Sequence, residues 1–350
     1  MNKTLLTIAI PTYNRASFLS LLLDQLFSEV NGVGPNCDVE ILISDNASSD
    51  STQDIVANVA RSGFEITYVR NNTNIGSDRN IAQCFNMALG RYVLIMGDDD
   101  LLVDGMLGGL LTNLKERSPG VALLRAYGFD EDFRSESPGT DGNWVTYHSV
   151  DAFLMRAGAQ ITLISACVIN KQLIAPLDTN QFVDSSLVQV HLVLRALLAS
   201  SSSISYEGHA IACKRNNSGG YSYAQVFVEN LGAILDFYQS YGLSLKVISK
   251  YESNLLRSHH PYYLWRIIRS DYRQLSLSEK YFVARFRSRW EYNFLIKPMF
   301  SLPRPLAWVW GAVIVLVGRL AVRGGIRRGI VFLKSQLRIR LGRLSSVLTH

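Results

Sequence analysis

Cysteine is scarce in this chain of 350 residues. The four present, Cys37, Cys84, Cys167 and Cys213, are widely spaced, mostly inside apolar runs, and form no C-x-x-C pair. That excludes a disulfide framework and suits a reducing cytoplasm. His191 and His209 lack the paired spacing of metal ligands and read as structural. Long apolar runs are missing too. The strongest, Pro305 to Gly318, has 14 residues, short of the roughly 20 that cross a bilayer, although snorkelling Arg319 and Arg323 could extend it. Leu5 to Ile10, after Lys3, is too short for a secretory leader and runs on without a cleavage site, so it reads as a first strand. Acids stop at Glu291, after which ten Lys/Arg follow, while the part up to Glu291 has 25 basic against 29 acidic residues. These late basics are mixed with apolar and Trp-rich sequence. The composition therefore favours an anionic membrane surface over nucleic acid as a partner.

What the chain has is alternation. Thr4 to Ile10 is apolar and β-rich, and Pro11-Thr12-Tyr13-Asn14-Arg15 breaks it. A helical pattern follows, with Phe18, Leu21, Leu22 and Leu26 on one face. Val39 to Ile43 reads as a second strand ending in a polar run from Ser44 to Thr52. Ile66 to Val69 is a third, followed by Asn71 to Asn80, and Tyr92 to Met96 is a fourth. Strands alternating with helices argue for an α/β, doubly wound, mainly parallel sheet. Each polar cluster follows a strand, so four of them converge on one rim, where open α/β sheets bind ligands.

Gly97-Asp98-Asp99-Asp100 closes the fourth strand. Three adjacent acids repel one another unless a cation neutralises them, and a hard divalent ion prefers carboxylate oxygen and can hold a diphosphate in turn. Taken alone, the cluster suits a solvated acidic turn capping the next helix better than a cation site.

The segments Pro11–Arg15, Ser44–Thr52, Asn71–Asn80 and Gly90–Asp100, in this order and spacing, resemble the family 2 glycosyltransferases, with abequosyltransferase-like members similar in overall pattern. The resemblance covers roughly the first 130 residues well and extends loosely to about 220. It implies a GT-A fold, Rossmann-like, and a nucleotide-sugar donor. It further implies that Pro11, Thr12, Tyr13, Arg15 and Asp45 line the base pocket, that Arg79 contacts phosphate or braces the acidic loop, and that Asp98 faces the ribose. Asp99, with Asp100 in support, is implied to hold Mn2+ or Mg2+. Gly97 stands where the common D-x-D-D pattern has its first Asp, which leaves the division of labour among the three acids open. Ser48 and Asp50 read as helix caps, and capping is also open to Asp45.

An inverting sugar transfer needs a carboxylate to take the acceptor hydroxyl's proton. Asp184, before the apolar periodic run Val188 to Leu198, stands where the family's base falls; an ordinary helix N-cap is its other reading. Asp130, Glu131 and Asp132 are rival acids in a solvated loop. An apolar segment from Leu163 to Ile169 adds a strand, and Lys214-Arg215 open a glycine-containing loop able to close over a diphosphate or merely solvated. Residues 1–222 are expected to form the catalytic domain, 223–300 a helical subdomain, and 301–350 a basic amphipathic, membrane-associating tail. The expected activity is transfer of one sugar to a lipid-linked saccharide acceptor in O-antigen or capsule assembly. It is expected at the cytoplasmic face of the plasma membrane, on a peripheral or monotopic protein. A nucleotidyltransferase or a non-catalytic membrane scaffold is the alternative; a processive synthase is disfavoured because no Q-x-x-R-W signature is present.

Overall fold

The computed structural model describes residues 4–34, 37–215 and 221–320. They fall into two compact units, one of residues up to Tyr221 plus Asn230–Ile248, the other of Ser222–Glu229 plus Ser249 onward.

The first unit begins with β1 (Leu6–Thr12), α1 (Ala16–Val33), β2 (Val39–Asp45), α2 (Thr52–Arg61), β3 (Thr67–Arg70), α3 (Ser77–Met87) and β4 (Tyr92–Ile95). It continues through β5 (Asp100–Leu102), α4 (Met106–Arg117), β6 (Val121–Leu123), β7 (Ala126–Phe129), β8 (Trp144–Tyr147) and α5 (Val150–Ala157). Then come β9 (Cys167–Asn170), α6 (Val188–Leu198), β10 (Ser203–Tyr206), β11 (Ile211–Lys214) and α7 (Leu231–Phe237). Eight strands form one sheet in the order β3-β2-β1-β4-β9-β6-β10-β8. The first four are mutually parallel. β9 runs antiparallel to both β4 and β6. The order reverses at β1, between β2 and β4, and that switch point opens the crevice in which α/β sheets seat ligands. Leu6, Ile8, Ala9 and Ile10 of β1 are wholly buried, as a central parallel strand covered on both faces requires.

On α1 the buried stripe is Leu19, Leu22, Leu23 and Leu26, whereas Leu21, expected on the buried face, is 50% exposed. The same helix contributes Glu29, whose carboxylate accepts the backbone N–H groups of Gly105 (2.6 Å) and Leu107 (3.0 Å) at the start of α4. A buried acid thus satisfies amides that a helix start leaves without partners. The strand expected over Leu163–Ile169 is present but shorter: Ile164–Ala166 is a 3-10 turn that leads into β9. A second sheet, β5-β11-β7, has strands of three or four residues, too short to carry a period in the sequence.

The second unit is helical. α8 (Leu245–Arg257) begins in the first unit and is followed by α9 (His259–Ser270), α10 (Tyr272–Phe286), α11 (Lys297–Ser301) and α12 (Arg304–Leu320). Leu264, Trp265, Phe282, Phe286, Ile296, Met299, Ala307 and Val315 form its core. Glu252, 5% exposed, is paired with Arg285 (2.7 Å) and Arg289 (2.6 Å), so its buried charge is compensated. α12 carries the apolar run noted above and divides it between two faces. Ala307 and Val315 are buried, while Leu306, Val309, Val313 and Val317 are about half exposed. No helix among the described residues is long and apolar enough to cross a membrane. The basic segment from Ile326 to Leu348 lies outside the described residues.

Candidate active site

At the switch point, the loop after β1 and the loop after β2 are locked together. The Asn14 amide donates to Ser48 Oγ (2.9 Å), and the Ser49 amide donates to Asn14 Oδ1 (2.7 Å). Asp50 accepts the amide of Ala16, first residue of α1 (2.9 Å), and the amide and hydroxyl of Thr52, first residue of α2. Asp50 therefore caps two helices at once. Asn14 (φ 53°) and Ala47 (φ 65°) both sit in the left-handed region, which costs a non-glycine residue roughly 1–2 kcal/mol, so these contacts hold the loops in shape. Tyr13, expected to stack on a nucleobase, is 45% exposed, and Pro11 lies at the end of β1.

Asp45, fully buried, ends β2. Its Oδ1 accepts the Ser48 amide (2.8 Å); its Oδ2 accepts the Tyr68 hydroxyl (2.6 Å) and faces Arg70 Nε at 3.4 Å. Arg70 also donates to the Ser48 carbonyl. Burial and then Asp45 raise the Tyr68 hydroxyl's proton affinity, so it remains the donor in this pair. Sequence reasoning missed Tyr68, which read only as part of the third strand, and Arg70, which fell between that strand and the run from Asn71. Asp45 caps the turn at Ser48, not the start of α2.

The acidic run lies across the switch point. Thr12 Oγ1 donates to Asp98 Oδ2 (2.8 Å), which links the end of β1 to the loop after β4. Arg15 Nη1 lies 3.1 Å from both Asp98 Oδ1 and Asp99 Oδ2. Burial pushes the Asp98 carboxyl up to about 6, against the opposing pull of Arg15 and Thr12. Asp100 turns inward: Ser165 Oγ donates to it at 2.5 Å while accepting the Gly97 amide. Burial pushes the Asp100 carboxyl up to about 7, against the Ser165 hydrogen bond. Gly97 packs closely on the acids that follow it. A Cβ there would stand 3.2 Å from both Asp99 Oδ1 and Asp100 Oδ2, so a side chain at this position would require the two carboxylates to give by a few tenths of an ångström.

Among the described residues, no three His, Cys, Asp or Glu side chains form a metal-ligand cluster. A magnesium-type site does not need one, since such ions are held by one or two carboxylates together with substrate phosphates. Asp99, the least enclosed of the three at 18% side-chain exposure against 6% for Asp98, fits that role. Arg15 already supplies one positive charge to the pair.

The third segment is tied to the second. Asn80 Nδ2 donates to the Ser44 carbonyl (2.9 Å), Ser44 Oγ donates to Asn80 Oδ1 (2.6 Å), and Asn46 Nδ2 donates to Asn74 Oδ1 (2.8 Å). Arg79 lies exposed in the first turn of α3. Next to it, Asp78 accepts the Ser186 amide at 2.7 Å, which brings the Asp184 turn beside the rim. Asp184 is exposed, has φ 72°, and lies three residues ahead of Leu187, the residue that precedes α6. The N-cap reading of Asp184 is thereby overturned.

Lys214 and Arg215 engage the loop after β7. Lys214 Nζ donates to the Asp130 carbonyl, and Arg215 pairs with Asp130 (2.6 Å) and Glu136 (3.1 Å). Glu136 in turn accepts the amides of Asp130, Glu131 and Asp132. His191 is stacked on Phe182, with ring centroids 4.2 Å apart, and burial beside Arg195 lowers it to about 4: a structural, neutral ring.

The family model described as Glycosyl transferase family 2 matches residues 7–174. Over 116 residues the chain is 40% identical to abequosyltransferase RfbV of Salmonella typhimurium, covering 33% of this chain and 34% of that protein. Over 112 residues it is 31% identical to the Campylobacter jejuni GalNAc(5)-diNAcBac-PP-undecaprenol beta-1,3-glucosyltransferase, covering 32% of this chain and 35% of that protein. The matched part thus spans about a third of the length of these curated relatives. In three dimensions the chain resembles S. aureus TarS 1-349, solved in complex with UDP-GlcNAc. The TM-score is 0.60 at 15% identity, over 93% of this chain and 92% of that one. At that identity the likeness concerns the fold alone, an α/β, GT-A-like one. Residues 7–174, which carry β1 to β4 and the whole acidic rim, are a glycosyl transferase family 2 domain.

Proposed function

We propose that this chain transfers a single sugar from a nucleotide-sugar donor to a lipid-linked saccharide acceptor in bacterial surface polysaccharide assembly, with inversion at the anomeric carbon. The observation that carries the reading is the Thr12–Asp98–Arg15–Asp99 link across the switch point of a family 2 domain. The loops from Pro11 to Arg15 and around Asp45 would hold the nucleoside, and Asp98 the ribose. Asp99 would hold Mn2+ or Mg2+, which when bound offsets the charge of the leaving diphosphate. Asp184, exposed beside the rim, takes the acceptor hydroxyl's proton as general base. The names of the two relatives, one an abequosyltransferase and one acting on an undecaprenol-linked saccharide, support a polysaccharide pathway and a lipid-linked acceptor. The exposed stripe on α12 and the ten basic residues beyond Glu291 support a monotopic or peripheral seat on the anionic cytoplasmic face of the plasma membrane.

A thermal-shift screen of nucleotide-sugars with Mn2+ or Mg2+ identifies the donor. With it, Asp184→Asn, which keeps the side-chain shape and tolerates the left-handed backbone, is expected to bind donor nearly normally and lose about 10²-fold or more in kcat. Asp99→Ala should abolish transfer and the metal-dependent part of donor binding. A product that keeps the donor's anomeric configuration, or full turnover by Asp184→Asn, contradicts the mechanism.

A further inference from the structure

The turn that carries Asp184 is built from unfavourable backbone. Asp184 (φ 72°) and Ser186 (φ 57°) both occupy the left-handed region with Ser185 between them. Alternation of this kind points successive backbone N–H groups into one concavity, which favours an anion. The anion is supplied by the protein. Asp78 Oδ2 accepts the Ser186 amide at 2.7 Å, and the backbone of Asp184 and Ser185 lies close enough to favour the charged form of the same carboxylate. Asp78 belongs to the first turn of α3, yet its carboxylate reaches a segment more than a hundred positions further along the chain.

α3 itself is fixed at both ends. Near its start Asn80 is bonded to Ser44 at the end of β2. At its far end Lys171 Nζ donates to the carbonyls of Phe85, Asn86 and Ala88. The side chain of Asp78 is therefore presented from an element registered against the nucleotide rim. Other bonds tie the middle of the turn: Ser185 Oγ donates to the Phe182 carbonyl (2.8 Å), and Asn230 Nδ2 donates to the Ser185 carbonyl (2.9 Å). Those two bonds restrain Ser185, and the Ser186 amide is held separately by Asp78.

We propose that Asp78 is a positioning residue for the candidate base: by accepting the Ser186 amide it holds the left-handed 184–186 turn and keeps Asp184 at the rim in one backbone conformation. This rests on the reading of Asp184 as the base. A charge-assisted bond from a backbone amide is the stronger kind, and it offsets part of the cost of two left-handed non-glycine residues. An amide side chain in place of the carboxylate removes the charge but keeps one acceptor oxygen for the Ser186 amide.

The test uses the full chain and two readouts. Hydrogen–deuterium exchange in Asp78→Ala should speed up about tenfold or more in peptides spanning residues 182–188, with β1 and β4 unchanged. With the donor found in the screen, kcat should fall about tenfold or more while donor KM stays within about twofold. If Asp78→Ala does not fold, Asp78→Asn gives the same readouts with smaller changes. Unchanged exchange at 182–188 overturns the proposal, as does a KM rise at constant kcat, which would make Asp78 a donor-binding group. Failure of the underlying reading looks different: Asp184→Asn would then turn over at the wild-type rate, whatever the exchange at the turn.

Discussion

Asp98, Asp99 and Asp100 are identical in type and adjacent, yet the fold gives each a different environment. Asp98 is bound by Thr12 and Arg15, Asp99 by Arg15 at a more open position, and Asp100 is shut inside against Ser165. Burial pushes Asp100 up to about 7, while an unfolded Asp titrates near about 4. Between those values the native chain holds a proton that the unfolded chain has released, so Asp100's contribution to stability is present in acid and lost as pH rises toward 7. Asp100→Asn imitates the protonated carboxyl. In chelator-containing buffer its Tm should exceed wild type at pH 8, and the decline in Tm between pH 5 and 8 should be shallower. Parallel pH profiles for the two proteins would show that Asp100 does not hold this proton. The acids themselves could be read from the sequence. Ser165 could not be singled out, because its partner lies 65 positions away and nothing local marks a serine in an apolar run as a carboxylate's donor.

Loops after β1 and β2 and the start of α3 act as one assembly, since each supplies a side chain that satisfies another's backbone. Asp50 shows this best, as it serves the first residues of α1 and α2 together. Asp50→Ala should cost about 1–2 kcal/mol, the upper range for a lost cap, seen as a lower denaturant midpoint with unchanged slope. Because the same change frees the Pro11–Arg15 loop, donor affinity should drop as well; an unaltered midpoint would show that the caps are dispensable. α6 was legible to the residue, from Val188 to Leu198, since its apolar period is strong. The turn before it was not. Ser and Asp before a helix are compatible with ordinary capping, and the left-handed turn at Asp184 and Ser186, with the Ser186 amide on a distant Asp78, has no local signal.

Charge and apolar surface in this molecule are segregated along the chain. The acids end at Glu291, and α12 beyond it buries Ala307 and Val315 while leaving Leu306, Val309, Val313 and Val317 exposed. A cut after Pro303 would remove part of the helical unit's core, so a cut after Leu320 is the cleaner test of the tail. The full chain should sediment with vesicles containing anionic lipid more than with neutral ones, and about 0.5 M salt should weaken that preference by screening. Changing Arg327, Arg328, Arg338 and Arg343 to Gln should have the same effect as salt. Val309→Asp with Val313→Asp should reduce binding to both kinds of vesicle. Equal sedimentation of all variants, or none by the full chain, would show that the stripe is covered by something other than lipid.

By itself the sequence determined the layers of the first unit, the rim at the strand ends and the identity of the acidic run. Each depends on periodicity, on turn-forming residues or on chemically rare neighbours, all of which are local. Tertiary structure alone decided which acid faces the rim and which faces Ser165, that Arg15 bridges Asp98 and Asp99, and that Asp45 answers to Tyr68 and Arg70. It likewise decided that the Ser186 amide, two residues after Asp184, donates to Asp78 and that Asp184 does not cap α6. Those pairings join residues brought together by strand order and crossover connections, and a carboxylate's partner across such a distance leaves no trace in the residues beside it.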